Sequence, residues 1–156
     1  MEMKEALSEM YGELDYRTSK ESMCGFSDSN VYVRYNWVDV SAYREGSPQI
    51  VCECETRFNL RRFREKSRRL HRVRERVILV LVVPEQICKN HRWIWDLTGH
   101  YDRVMVYNEK RKKITKIHYL RPVRPAQCAI ECYNRHSHGA SIGGGTVAPS
   151  THHYPI

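Results

Sequence analysis

Three acidic side chains stand where acids are scarce. Asp39 lies in the β-branched and aromatic run from Val31 to Tyr43, and Glu53 and Glu55 lie in Gln49-Ile-Val-Cys-Glu-Cys-Glu55. Both runs read as strands, and a strand buries at least one face. Alternate strand residues share a face, so Glu53 and Glu55 project one way while Cys52 and Cys54 project the other. Arg44-Glu-Gly-Ser-Pro48 carries turn residues. A hairpin through that turn brings Asp39 within a few residues' register of Glu53. Clustered carboxylates repel one another unless something neutralises them. A hard divalent cation does so while keeping several waters, and it can activate one of them against a phosphate. The same pattern also fits a hairpin whose solvated acids pair with nearby arginines.

The segment that follows is strongly basic. From Arg61 to Arg76 there are nine basic residues (Arg61, Arg62, Arg64, Lys66, Arg68, Arg69, Arg72, Arg74, Arg76) against two acids. Arginine outnumbers lysine eight to one, which suits bidentate contacts to phosphate. A solvated helix face with i,i+4 pairs is the competing reading, although such faces usually mix both signs. Leu60, Phe63, Ser67, Leu70 and Val73 form one stripe at helical spacing. Lys66 falls on that stripe, whereas Arg61, Arg64, Arg68 and Arg72 fall away from it. A lysine turned toward a core needs an anionic partner, and the acids on the preceding strand are candidates. The alternative is a lysine snorkelling at the edge of the stripe.

These residues need a scaffold. Residues 3–14 read as a helix, with Ala6, Leu7, Met10, Tyr11 and Leu14 three and four apart. Residues 15–30 are mixed and polar and read as irregular, ending in a turn. Strands are expected over 31–43 and 49–55, a basic helix over 59–74, and a strand over 76–83 ended by Pro84. The run from Val77 to Val83 lacks alternation, which places it in the middle of a sheet. Residues 85–97 look helical or irregular, with Trp93 and Trp95 as packing anchors. A strand over 103–107 and an edge strand over 114–120 complete a mixed α/β domain of one sheet flanked by helices. That domain spans 1–121. Residues 122–156 are an extension rich in Pro, Gly, Ser and His, expected to be flexible from about 137.

The chain has 156 residues, enough for one sizeable core. Lys plus Arg number 26 and Asp plus Glu 18, a net charge of +8, which favours a polyanionic partner. The longest apolar run, about eight residues, is far short of the roughly 20 needed to cross a membrane. The first residues hold no apolar signal-peptide core, so an intracellular, cytoplasmic protein is expected. Six cysteines without a Cys-x-x-Cys pair read as free thiols. Cys128, Cys132, His136 and His138 have zinc-ligand types but not a common finger spacing, and a plain tail is the better reading. Glu85 and Gln86 read as a cap or solvated turn after the central strand. Gly143-Gly-Gly145 follows no strand and opens no phosphate-binding loop.

Asp39, thirteen intervening residues, then Glu53-Cys54-Glu55, set on strands and followed by a helix, resembles the PD-(D/E)XK, or restriction-endonuclease-like, nucleases. The similarity in element order covers about residues 3–107. The resemblance implies a restriction-endonuclease-like core and an Mg²⁺-dependent (or Mn²⁺-dependent) hydrolase acting on nucleic acid, DNA rather than RNA. Asp39 and Glu53 would be metal ligands. Glu55 stands where the family usually has lysine, as in some restriction enzymes, and would add a ligand or orient water. Other members move the lysine to the following helix, the part Lys66 would take. Glu9 or Glu13 on the first helix would be the auxiliary acid some members use. Arg61, Arg62, Arg64, Arg68, Arg69 and Arg72 would grip backbone phosphates. Many relatives of the fold dimerise, so a homodimer is allowed. A non-catalytic nucleic-acid-binding protein on the same fold is the alternative, and a basic face for an acidic protein partner is a second one.

Overall fold

The computed structural model describes residues 2–24, 36–90 and 92–121. The expected extension over 122–156, with its cysteines and histidines, lies outside the described residues, as does the 31–35 part of the first expected strand. Helix α1 (Glu2–Glu13) comes first, then β1 (Arg17–Cys24), β2 (Asn36–Arg44) and β3 (Ser47–Cys54). Helices α2 (Leu60–Arg69) and α3 (His71–Arg74) lead into β4 (Ile78–Pro84). A 3₁₀ turn (Glu85–Cys88) and α4 (Arg92–Trp95) precede β5 (Arg103–Asn108) and β6 (Lys113–Tyr119).

The six strands form one mixed sheet in the order β1-β2-β3-β4-β5-β6. β3, β4 and β5 run parallel to one another, and the remaining pairs are antiparallel. The fold is therefore α/β, with helices on both faces. Phe63, Leu70, Val73 and Ile94 bring α2, α3 and α4 onto one face with Val51, Leu79, Leu81 and Val104. Met3, Leu7 and Tyr11 bring α1 onto the other, over Ile50, Cys52, Val80 and Met105.

The central strand is as apolar as its sequence requires. All seven β4 residues are buried, with Leu79, Leu81 and Val83 facing one layer and Ile78, Val80 and Val82 the other. Each such leucine contributes about 1.5–3 kcal/mol by leaving water. The β2–β3 hairpin turns on two residues, Glu45 (φ 54) and Gly46 (φ 80). Both have the positive φ of a type I′ turn, whose twist matches the strands it joins.

Two expectations are corrected here. Residues 17–24 are a strand and not an irregular stretch. β1 is an edge strand, held by its ladder to β2 from Arg17–Tyr43 to Cys24–Asn36. With one edge in water, it needs no apolar alternation to stay in place. The basic helix is also two helices. Leu70 leaves helical geometry (φ −101, ψ 11), and the restart brings Val73 into the core beside Leu70 and Phe63. Asn59 caps α2 by accepting a 3.0 Å bond from the Arg62 amide.

Candidate active site

The ladder between β2 and β3 stops at Val40–Cys52. Beyond that pair β2 stays with β1, through Val38–Ser22 and Trp37–Met23, while β3 stays with β4, through Glu53–Leu81 and Cys54–Val82. The sheet opens between them. Two amides that would have continued the ladder need acceptors. The Asp39 N–H donates to Glu53 Oε2 at 3.0 Å, and the Cys54 N–H donates to Asp39 Oδ2 at 2.7 Å. The two acids thus face each other directly across the opening.

Glu53 is only 1% exposed. Burial, and then the charge of Asp39, push its carboxyl up from 4.5 to about 7. Arg69 from α2 donates to Glu53 Oε1 at 3.2 Å. Lys66 reaches in from the same helix, its side chain 15% exposed. Its ammonium is 2.7 Å from Glu55 Oε1 and 3.9 Å from Asp39 Oδ2. The stripe position therefore turns Lys66 toward the acids, as expected, and Glu55 is its closest partner. Arg62 also holds Glu55, at 2.7 Å.

Asp39, Glu53, Glu55 and Lys66 are thus brought together. Arg62 and Arg69, although exposed, each pair with one of these acids. Arg61 pairs with Glu65 one turn on, at 3.1 Å. Arg68 and Arg72 are exposed, and Arg64 is half-buried; none of the three has an acidic partner among the described residues.

Sequence reasoning missed Lys4. From α1 its ammonium lies 3.5 Å from Asp39 Oδ1 and 2.6 Å from Glu21 Oε1. Glu21, and then Asp39, hold that ammonium above its ordinary pKa. Lys4 precedes the buried Leu7 by three positions and Tyr11 by seven, so the edge of an apolar stripe marks it just as it marks Lys66. Glu9 and Glu13 are exposed, and neither joins the site; the α1 contribution is a cation. Trp95, expected as an anchor, is 56% exposed, whereas Trp93 is half-buried and donates to the Ile87 carbonyl at 3.1 Å. Asp102, the other buried acid among the described residues, serves the fold: it accepts from the Leu79 amide at 2.7 Å and pairs with Arg74 and Arg121. The Cys54 thiol, raised to about 12 by burial and then by Asp39, is no thiolate at neutral pH.

The donor set suits a hard cation. Two facing carboxylates, one of them buried and reluctant to ionise, gain from a nearby dication. Mg²⁺ binds through one or two carboxylates and completes its shell with water and substrate phosphate. Glu55 is turned to Lys66 and Arg62, and among the described residues no three His, Cys, Asp or Glu side chains converge to hold a metal. Asp39 and Glu53 are therefore the pair that fits.

No protein-family model matches the sequence, and no curated protein does. Two solved structures are similar in shape. One is an XisH family protein from Nostoc punctiforme, 15% identical at a TM-score of 0.49, covering 75% of this chain and 98% of that one. The other is an FdxN element excision controlling factor protein from Anabaena variabilis, 17% identical at a TM-score of 0.49, covering 74% of this chain and 94% of that one. Likeness at that level says nothing of activity. Among the described residues no helix is long and apolar enough to cross a membrane.

Proposed function

We propose that this protein is a restriction-endonuclease-like, metal-dependent nuclease that hydrolyses DNA phosphodiester bonds. One observation carries the reading: Lys66, from the helix after the acids, is held at 2.7 Å from Glu55 and 3.9 Å from Asp39 at the opening where Asp39 meets Glu53. A cation beside paired acids at a strand opening supplies both signs of charge that phosphodiester hydrolysis uses.

Asp39 and Glu53 would hold Mg²⁺ or Mn²⁺. When bound there, the ion supplies Lewis acidity and a water of lowered pKa. The chain's own residues do the rest. Lys66, freed from Glu55 by a competing phosphate, offsets the charge that builds on the scissile group. Glu55, then left to Arg62, accepts a hydrogen bond from the attacking water and orients it. Arg69 and Lys4 keep Glu53 and Asp39 in place from opposite faces of the sheet. Arg68 and Arg72, free of acidic partners, grip the backbone on either side.

The decisive test incubates the protein with linear, circular and single-stranded DNA in Mg²⁺, Mn²⁺ or EDTA, beside an Asp39→Asn/Glu53→Gln double variant. Metal-dependent cleavage by the native protein alone is expected. Cleavage of the circle marks an endonuclease. Salt-sensitive DNA retention by both proteins, with no cleavage by either, would instead favour a non-catalytic DNA-binding protein. That alternative has its own support, because each of the three acids already has a cationic partner: Lys4 and Lys66 for Asp39, Arg69 for Glu53, Lys66 and Arg62 for Glu55.

A further inference from the structure

Ser67 is the polar member of the apolar stripe on α2, and it is buried. Its hydroxyl lies 2.8 Å from the Arg64 carbonyl and 2.8 Å from His100 Nδ1. A hydroxyl has one proton to give, and a carbonyl can only accept. Both contacts are therefore bonds only if Ser67 donates to Arg64 and His100 Nδ1–H donates to Ser67. That fixes the neutral tautomer of His100, with the lone pair on Nε2. The segment carrying the ring is firmly tied. The His100 amide donates to the Leu97 carbonyl at 2.8 Å, Arg74 donates to the Gly99 carbonyl at 2.7 Å, and the Tyr101 hydroxyl donates to the Phe63 carbonyl at 2.8 Å.

The charges around this half-buried ring are all positive. Burial, and then Arg64, Arg68 and Arg74, hold the imidazole below the ordinary histidine pKa, and no described acid opposes them. Asp102, two residues on, is turned to the Leu79 amide, Arg74 and Arg121. Arg74 is committed to Asp102 and the Gly99 carbonyl. Arg64 and Arg68, four apart and so neighbours on the helix, have no acidic partner among the described residues. They flank the stripe on the side opposite Arg62, Lys66 and Arg69, which face the acids.

A histidine that only pins its loop needs the Ser67 bond and nothing more. Two unpaired guanidiniums beside it call for an anion. A phosphate group suits them, because guanidinium forks bind its oxygens in pairs. Its negative charge also favours a proton on Nε2, which becomes a further donor while the Nδ1–H bond to Ser67 stays as it is.

We infer that Arg64, Arg68 and His100 form a second phosphate site, on the flank of α2 away from the acids, where a backbone phosphate of the bound DNA and a proton from solvent, taken at His100 Nε2, bind together. This rests on the nuclease reading above and adds to it a DNA contact that tightens as the pH falls.

The test is binding of a labelled 20-base-pair duplex in EDTA at constant salt, between about pH 8 and about pH 5.5, to native protein and His100→Asn. Asparagine keeps an N–H donor near the place of Nδ1 and never ionises, and circular dichroism checks that the variant is folded. Over this range the native affinity should rise about three- to tenfold more than that of the variant, the worth of one added charge-assisted contact. The comparison cancels what other titrating groups contribute, Glu53 among them. The His100 imidazole resonance, identified by its absence from His100→Asn, should titrate at higher pH in the complex than in the free protein. Arg64→Ala should lower the slope of log affinity against log salt by about 0.9. The same pH dependence in native protein and His100→Asn, no rise in the resonance titration, or an unchanged salt slope overturns the inference. Cleavage of the duplex in Mg²⁺ would then leave the nuclease reading standing alone. If no DNA binds at low salt, the nuclease reading falls, and inorganic phosphate replaces the duplex in the resonance titration: a rise keeps the site, and no rise overturns it as well.

Discussion

Replacing Glu53 with glutamine should stabilise the metal-free protein, and more so as the pH rises. The native carboxyl is raised from 4.5 to about 7, first by burial and then by Asp39. The folded state therefore holds this proton more tightly than the unfolded state does. Its contribution to stability is complete below about pH 4.5 and is lost as the pH rises through about 7. At about 1.36 kcal/mol per unit, the whole loss is about 3 kcal/mol. Roughly three-quarters of it falls between about pH 5 and pH 8.5, or about 2–3 kcal/mol. Glutamine keeps an oxygen to accept from the Asp39 amide, now at 3.0 Å, and never ionises. Urea unfolding in EDTA, followed by circular dichroism, measures both proteins across that range. With a urea slope of about 2 kcal/mol/M, the gap between midpoints should widen by about 1 M in favour of the variant. A gap that stays constant with pH would refute the reasoning. It would mean that Arg69 and Lys66 keep Glu53 ionised throughout, and that the site is compensated without a metal.

Three more outcomes are expected. Lys66→Met should cut the cleavage rate by about 10²-fold or more, as losing one charge-stabilising donor does, while DNA retention in EDTA changes little; single-turnover kinetics beside a binding titration checks this. Arg68→Ala/Arg72→Ala should lower the slope of log affinity against log salt for duplex DNA by about 1.8, read from titrations at several salt concentrations. Leu81→Ala, at a fully buried position of the central strand, should cost about 3–5 kcal/mol in urea unfolding, and a smaller loss would mean that the two layers collapse onto the gap.

Much of the site was legible because period and type coincide there. Glu53 stands out as an acid in a strand, and the helical period alone turns Lys66 inward. The central strand and the edge strand β6 followed from an unbroken apolar run and from a polar one near the end of the domain. Other features left little trace. β1 reads Arg-Thr-Ser-Lys-Glu-Ser-Met-Cys, and only its partner makes it a strand. Lys4 stands at the edge of the α1 stripe, but its partner Asp39 is evident only once α1 is laid across the sheet. The Leu70 break carries neither proline nor glycine, so it comes from packing rather than from propensity. Trp95 shows the converse, since its composition argued for the core and the fold leaves it outside.

The two amides at the strand opening have a consequence for how this site could be lost. Asp39 and Glu53 each finish the backbone of the opposite strand, so each is as much a piece of the hairpin as a candidate ligand. A descendant of this chain that gave up hydrolysis would still be under pressure to keep a side-chain acceptor at both positions, an acid or its amide, or leave two N–H groups stranded where the sheet parts. Lys66 has no such second duty. Drift in such a lineage would be free at the lysine and held to acids or their amides at 39 and 53. An acceptor kept at both positions is thus a record of folding, whereas the acids kept as acids, together with the lysine, are the witness to chemistry.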